Sequence, residues 1–417
     1  MNLDRRAFLK QLAVEAGAIP SLTPFSYGPT VLEAAPDSSS LLTDANNRTL
    51  LVVQLAGGND GINTVVPYSQ QAYYQARPTL ALQPNELLQI DGEVGLHPSM
   101  GGLMNLFKSH DAAILQGVGY ANPNRSHFES TIIWESASTD NSLGGGWLGR
   151  YLDAAKRTDP KTAAVNIGGL VPLTLTGWVS RGLSIDSLDR FRVFPTPTAQ
   201  TDTQDEDTIK LMNEVACTAC QEYSSLVGAM MQAGLDATAA SDTIAQAALN
   251  YQTNAVYPQD DFGSRMKLAA QIAGSNLNPK IIYVELGGFD THANQKGQQA
   301  DLLKTLSDGI AAFYQDMSDQ GRANDTLVMT FSEFGRRVQE NGNRGTDHGT
   351  AEPLFVVGGK VSSDLYGATP SLTDLDQGDI KYGIDFRQLY ASVLDDWLGV
   401  DSSAILGQKY DKLSVLL

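Results

Sequence analysis

The chain has 417 residues, 42% hydrophobic and 18% charged, the balance of a globular protein with a substantial core and not of a disordered one. That length makes one large domain or two ordinary ones. A formal net charge of −18 repels nucleic-acid phosphates, and no basic cluster beyond the N-terminus offsets it, so no nucleic-acid partner is expected.

The first residues are specific. The stretch 5-RRAFLK-10, followed by the mildly apolar 11-QLAVEAGAIPSLTPF-25, matches a twin-arginine export signal; a basic amphipathic helix is the alternative. Glu15 and Pro20 interrupt the apolar region, which is too short and too polar to span a bilayer, so the chain is not read as a transmembrane protein. The expected signal covers residues 1–35, with Ala34-Ala35 as one candidate cleavage point, and 36-PDSSSLLTDANNR-48 reads as a polar linker. The twin-arginine export machinery of a bacterium is thus an expected partner, and the periplasm or the exterior the expected location. That route carries folded cargo, which suits a protein that takes up a metal or cofactor before export.

Next comes 49-TLLVVQLAGGND-60, a continuous apolar run closed by two glycines, as a buried parallel strand would be. Similar runs follow at 112-AAILQGVG-119, 163-AAVNIGG-169, 280-KIIYVELGG-288, 325-DTLVMTF-331 and 353-PLFVVGG-359. Between several of them lie helical patterns such as 298-GQQADLLKTLSDGIAAFYQDM-317. Strands alternating with helices predict an α/β fold with a mainly parallel central sheet flanked by helices. A single domain over 49–417 is expected, with a helix-rich insertion at about 206–275. Cys217 and Cys220, the only two cysteines, read as a local disulfide or as inert helix residues, because two thiols without a nearby histidine do not make a zinc site.

Ligands of open parallel sheets bind beyond the carboxyl ends of the strands. Asn59 and Asp60 follow the first run; Glu285, Asp290 and His292 follow the fourth; Ser332 and Glu333 follow the fifth; Asp347 and His348 precede the last. Carboxylates and imidazoles gathered at one sheet edge have the composition of a divalent-metal site. Each has a plainer reading: Asp60 as a turn residue, Glu333 as a surface ion pair with Arg336 or Arg337, Asp347 as a loop residue and His348 as a satisfied core imidazole. Ser126, in 125-RSHFES-130, starts a predicted helix, where unpaired backbone N–H groups stabilise an anion. Ser126 and Glu129 also fit a capping box, which is the better reading of that segment alone. Arg125 and His127 beside it supply an anion-binding cation and a further ligand.

The twin-arginine start together with 57-GGNDGINTVVP-67, 96-LHPSM-100, 125-RSHFESTIIWES-136, 287-GGFDTH-292, 331-FSEFGRRVQENG-342 and 345-GTDHGTAEPLFVVGG-359 resembles the exported bacterial family called domain of unknown function 1501. That family is distantly similar to the alkaline phosphatase and sulfatase superfamily of metal-dependent phosphate and sulfate ester hydrolases. The resemblance implies an alkaline-phosphatase-like domain with a metal-binding Asp at Asp60 and a nucleophile at Ser126. It implies a Glu–Asp pair at Glu285 and Asp290, with His292 two residues on where alkaline phosphatases place their His four residues on. For the last ligands it admits two alignments, one making Asp347-His348 the superfamily's Asp-His pair. The preferred one makes His348 the final ligand and puts Glu333 in the pair's place. This gives Asp290, His292 and His348 at one metal, and Asp60, Ser126 and Glu333 near a second.

The function these features imply is an exported hydrolase of a phosphate or sulfate ester, with one or two divalent ions (Zn, Mg, Ca or Mn) activating Ser126 or a water. Arg125 or His127 would contact the anion of a small ester or glycan substrate. A binding protein for an envelope glycan or a protein partner, on a degenerate scaffold of the same kind, is the alternative, and a purely structural metal is a third.

Overall fold

In this computed structural model the chain divides into two units, residues 1–40 with 194–238 and residues 41–193 with 239–417. The structure describes residues 47–155, 162–186, 243, 244, 246, 248, 251–275 and 277–417. The first unit lies outside them, as do the expected export signal, both cysteines and most of the expected helical insertion. Among the described residues no helix is long and apolar enough to cross a membrane.

The second unit is built on a nine-stranded sheet. Its strands are β1 (Thr49–Ala56), β2 (Ala112–Gly119), β3 (Ala164–Ile167), β4 (Leu183–Ile185), β5 (Ile281–Gly287), β6 (Thr326–Phe331), β7 (Glu352–Val357), β8 (Leu365–Tyr366) and β9 (Ile384–Asp385). They lie in the order β8-β2-β7-β6-β1-β5-β3-β4, with β9 also paired to β2. The α/β expectation is met: every pairing is parallel except the two made by β7, which runs against both β2 and β6.

The apolar runs are continuous because the sheet is covered on both faces. Leu51, Val53 and Leu55 of β1 point into one cluster, packed by helices α1 (Gly101–Lys108), α4 (Asp261–Ala273) and α5 (Gln295–Asp319). The alternating Leu50 and Val52 point into the other, against α2 (His127–Ser136), α3 (Trp147–Ala154) and α6 (Phe386–Ser392). The tail of the expected insertion is α4, whose Phe262, Met266 and Ile272 sit in the first cluster.

The reversed strand decides where the site lies. β1, β5 and β6 end at one edge, and because β7 runs the other way, the residues before it return to that same edge. The backbone pairing of Arg336 with His348 prolongs the β6–β7 hairpin past the sheet. Two glycines close β1 with positive φ, Gly57 at 117° and Gly58 at 82°, a conformation side chains rarely tolerate. A Cβ on Gly57 would stand 2.4 Å from the Asp290 nitrogen. The bare backbone therefore lets the loops after β1 and β5 touch.

At the far end of α2, Glu135 is buried beside the Tyr283 hydroxyl, 3.4 Å from Glu135 Oε1. That hydroxyl donates to Gln54 Oε1 at 2.6 Å. Burial pushes the Glu135 carboxyl up to about 7, against hydrogen bonds from the Leu173 and Thr174 backbone and from Tyr283. A carboxyl whose pKa is raised on folding contributes stability that is full below the unfolded value and is lost as pH rises through the folded one. The shift corresponds to about 3 kcal/mol. Glu135→Gln should match the wild type at about pH 4 and exceed it by up to that amount at about pH 8. Denaturant melts across this range test it; parallel profiles would acquit Glu135.

Candidate metal centre

Four segments meet at the shared edge. The loop after β5 brings Asp290 and His292, the turn after β6 brings Glu333, Phe334 and Arg336, the segment before β7 brings Asp347 and His348, and α2 begins with His127. The imidazoles converge on one carboxylate oxygen. Asp290 Oδ1 lies 2.9 Å from His292 Nε2, 3.3 Å from His348 Nε2 and 3.6 Å from His127 Nε2. His292 Nε2 and His348 Nε2 are 3.0 Å apart.

The opposite nitrogen of each ring is held by a different partner. His127 Nδ1 is 2.7 Å from Glu333 Oε1, His348 Nδ1 is 2.9 Å from the Arg125 carbonyl oxygen, and His292 Nδ1 is 3.3 Å from Asp347 Oδ1. Carbonyl and carboxylate oxygens accept, so each Nδ1 is placed to donate its hydrogen, and in that neutral tautomer each Nε2 turns a lone pair inward. Donor atoms gathered in this way can share a cation. His127, Asp290 and His348 present donor atoms all within 4.8 Å of one another, with His292 beside them on Asp290 Oδ1. Two or three imidazoles with one carboxylate suit a divalent metal ion.

Arg336 braces this arrangement from below. Its buried guanidinium donates to Asp290 Oδ1 at 2.7 Å, Gly58 O at 2.7 Å, Thr346 O at 2.9 Å and Phe289 O at 3.0 Å, and also to Gly57 O. Partial burial works against ionisation of Asp290, but the hydrogen bond and charge of Arg336, with His348 and His292, hold its carboxyl below the usual range. Burial lowers His348, aided by Arg336 and His127, which keeps the imidazole neutral and able to ligate. Asp347 is lowered first by a hydrogen bond from Asn341 and further by His292.

Asp290, His292 and His348 thus lie together. His127 joins them and faces inward; the sequence reading offered it as a further ligand or as an ester contact. Glu333 and Asp347 orient imidazoles from outside; Glu333 Oε1 also accepts from the Gly57 amide at 2.9 Å. Glu285 is exposed on β5, outside the cluster. Asp60 is fully buried, and both its oxygens are taken: Arg77 binds them at 2.6 and 2.9 Å and Gln295 donates to Oδ2.

Ser126 is the N-cap residue of α2, but its side chain makes no capping hydrogen bond, so the capping box is not formed. Its amide donates to Asn124 Oδ1 at 2.8 Å, and the side chain is exposed. Arg125 binds Asp379 through Nε at 2.7 Å and through Nη2. A cleft of about 400 Å³ adjoins, lined by Tyr120, Asn122, Asn124, Phe334, Ile380 and Tyr382. The Phe334 ring links cleft and cluster, 5.0 Å from the His127 ring and 4.6 Å from that of His348. Arg336, Phe334 and Asp379 were not read as site residues. The sequence signal for Arg336 was its place three residues after Glu333, which suggested a surface ion pair.

Residues 47–409 match the family described as Protein of unknown function (DUF1501). The chain belongs to the DUF1501 family. No match was found among curated protein sequences. Among solved structures, this DUF1501 chain is similar to the PsFucS1 sulfatase from Pseudoalteromonas sp., with TM-score 0.40 and 10% identity over 91% of this chain and 75% of that one. It is similar to the lipoteichoic acid synthase LtaP from Listeria monocytogenes, with TM-score 0.36 and 10% identity over 87% and 76%. It is also similar to the C-terminal periplasmic domain of EcEptC from Escherichia coli in complex with Zn, with TM-score 0.33 and 10% identity over 75% and 73%. Values this low assign no chemistry to the DUF1501 chain, which has to be read from its own side chains.

Proposed function

We propose that this DUF1501 protein is an exported, metal-dependent hydrolase of phosphate or sulfate esters. The observation that carries the reading is the convergence of three imidazole Nε2 atoms on Asp290 Oδ1, each ring held at Nδ1 by its own acceptor. His127, His292, His348 and Asp290 would hold the ion. Bound there, a divalent metal supplies Lewis-acid stabilisation of charge on an ester oxygen and acidifies a nearby oxygen nucleophile. The sequence places the nucleophile candidate, Ser126, directly before His127. Its hydroxyl is not spent on capping, and the first-turn amides of α2 favour an anion in front of it. Glu333 fixes the His127 ring, and the cleft receives the remainder of the ester. The N-terminal signal accounts for export.

Purified protein should contain close to one zinc-type ion per chain and turn over aryl phosphates or aryl sulfates. Ser126→Ala should lower turnover at least about a thousandfold with metal content unchanged. Metal-loaded protein inert toward both ester classes would sink the hydrolase reading. Full activity in Ser126→Ala would leave hydrolysis but remove the covalent route.

A further inference from the structure

Beside Ser126, two arginines share one buried carboxylate. Arg125 donates to Asp379 Oδ2 through Nε, at 2.7 Å, and through Nη2. Arg337 donates to Asp379 Oδ1 through Nε at 3.2 Å and to the Gln377 carbonyl through Nη2 at 2.7 Å. The aspartate side chain is 1% exposed while each arginine side chain is 38% exposed. Asp379 sits on the hairpin Leu375–Asp376/Asp379–Ile380, and Asp376 and Ile380 from that hairpin line the cleft. The Arg125 carbonyl bonds His348 and the Arg337 amide bonds the Asp347 carbonyl, so both cations are tied to the candidate metal centre by their own backbone. Neither Arg125 Nη1 nor Arg337 Nη1 has a partner among the described residues.

We infer that Asp379 sets the charge selectivity of the site. This rests on the hydrolase reading and goes further, to the class of ester. Two solvent-facing guanidinium groups tied to the metal centre would favour a doubly charged phosphate monoester. One buried carboxylate between them withdraws one of their two charges and ties up the donor edges best suited to a second anionic oxygen. What remains is a single net positive charge with one unspent donor from each arginine, matched to an ester carrying one negative charge: a sulfate monoester or a phosphodiester. The neighbouring cleft, whose lining joins Tyr120, Phe334 and Tyr382 to one acidic and one basic side chain, Asp376 and Lys381, has room for the organic group of the ester.

The test is calorimetric binding of methyl sulfate, dimethyl phosphate and methyl phosphate to the zinc-loaded full chain at about pH 8, where a phosphate monoester is doubly charged. At least one of the two monoanions should bind more tightly than methyl phosphate, and the tighter one identifies the ester. Asp379→Asn keeps the shape of the clamp and removes its charge. It should shift the preference toward methyl phosphate at least about tenfold. Arg337→Gln, which leaves Asp379 fully matched by Arg125, should shift it the other way, and carries the test alone if Asp379→Asn does not fold. Methyl phosphate binding tightest in the wild type, a preference unmoved in the folded variants, or no binding of any probe would overturn the inference. The expected shifts without turnover of any aryl ester would keep it and remove the hydrolase reading.

Discussion

Asp290→Ala is expected to strip the metal from the protein while leaving it folded. Asp290 Oδ1 is the common neighbour of three imidazole nitrogens and of Arg336, so its loss removes the one oxygen of the donor set. Its negative charge is also what offsets Arg336 close to a dication. Loss of an outer partner commonly lowers metal affinity about 10–100-fold, so losing a direct ligand should exceed the upper end of that range. Stability in the metal-free state should fall by about 1.5–3 kcal/mol, the usual worth of one hydrogen bond to a charged group. Arg336 keeps four carbonyl acceptors, so its charge is not stranded. Competition with a calibrated chelator measures the affinity, and thermal melts measure the coupling. Chelator should lower the wild-type melting temperature and leave that of the variant unmoved, because a ligand bound only to the native state stabilises by mass action. A variant that holds metal as tightly as the wild type would remove Asp290 from the site.

What could be read beforehand followed from local chemistry. Continuous apolar runs ending in Gly-Gly gave the buried strands, and the chemistry collected where they ended, so Asp290, His292 and His348 were legible as a group. What escaped was set by long-range geometry. The direction of β7 brings His348 to the common edge, and nothing in 353-PLFVVGG-359 declares that direction. His127 was read as an anion contact or a further ligand because it neighbours Ser126. The start of α2 turns its Nε2 inward to Asp290 while Glu333 holds its Nδ1 from outside. Arg336 looked like half of a surface pair because helical spacing from Glu333 was assumed. The segment is an extended turn, and the guanidinium sinks among the carbonyls of three other segments. The capping box at Ser126 had the right residues, but the Ser126 side chain makes no capping bond and its amide is held by Asn124.

Asp60 shows the same limit most clearly, and its replacement should give the largest loss of stability. Its place after the first strand suggested a metal ligand, whereas the structure buries it completely against Arg77, itself fully buried. Arg77 also holds the Val338 carbonyl at 2.6 Å and the Arg337 carbonyl at 2.8 Å. Gln295, which donates to Asp60, accepts from the Thr346 hydroxyl at 2.6 Å. The pair therefore ties β1 to the turn after β6, to the start of α5 and to the segment leading to His348. Removing one member of such a pair strands a buried charge, at a cost of about 3–5 kcal/mol. Asp60→Ala should lose that much in denaturant melts, yet the protein that remains folded should still take up metal, since none of the four converging donors belongs to Asp60. If Asp60 were a ligand, the variant would lose metal with a modest change in stability. The double replacement Asp60→Leu/Arg77→Met separates the two roles. It removes both charges and fills the space with apolar atoms, so it should recover much of the lost stability, whereas a lost ligand would not be restored by altering Arg77.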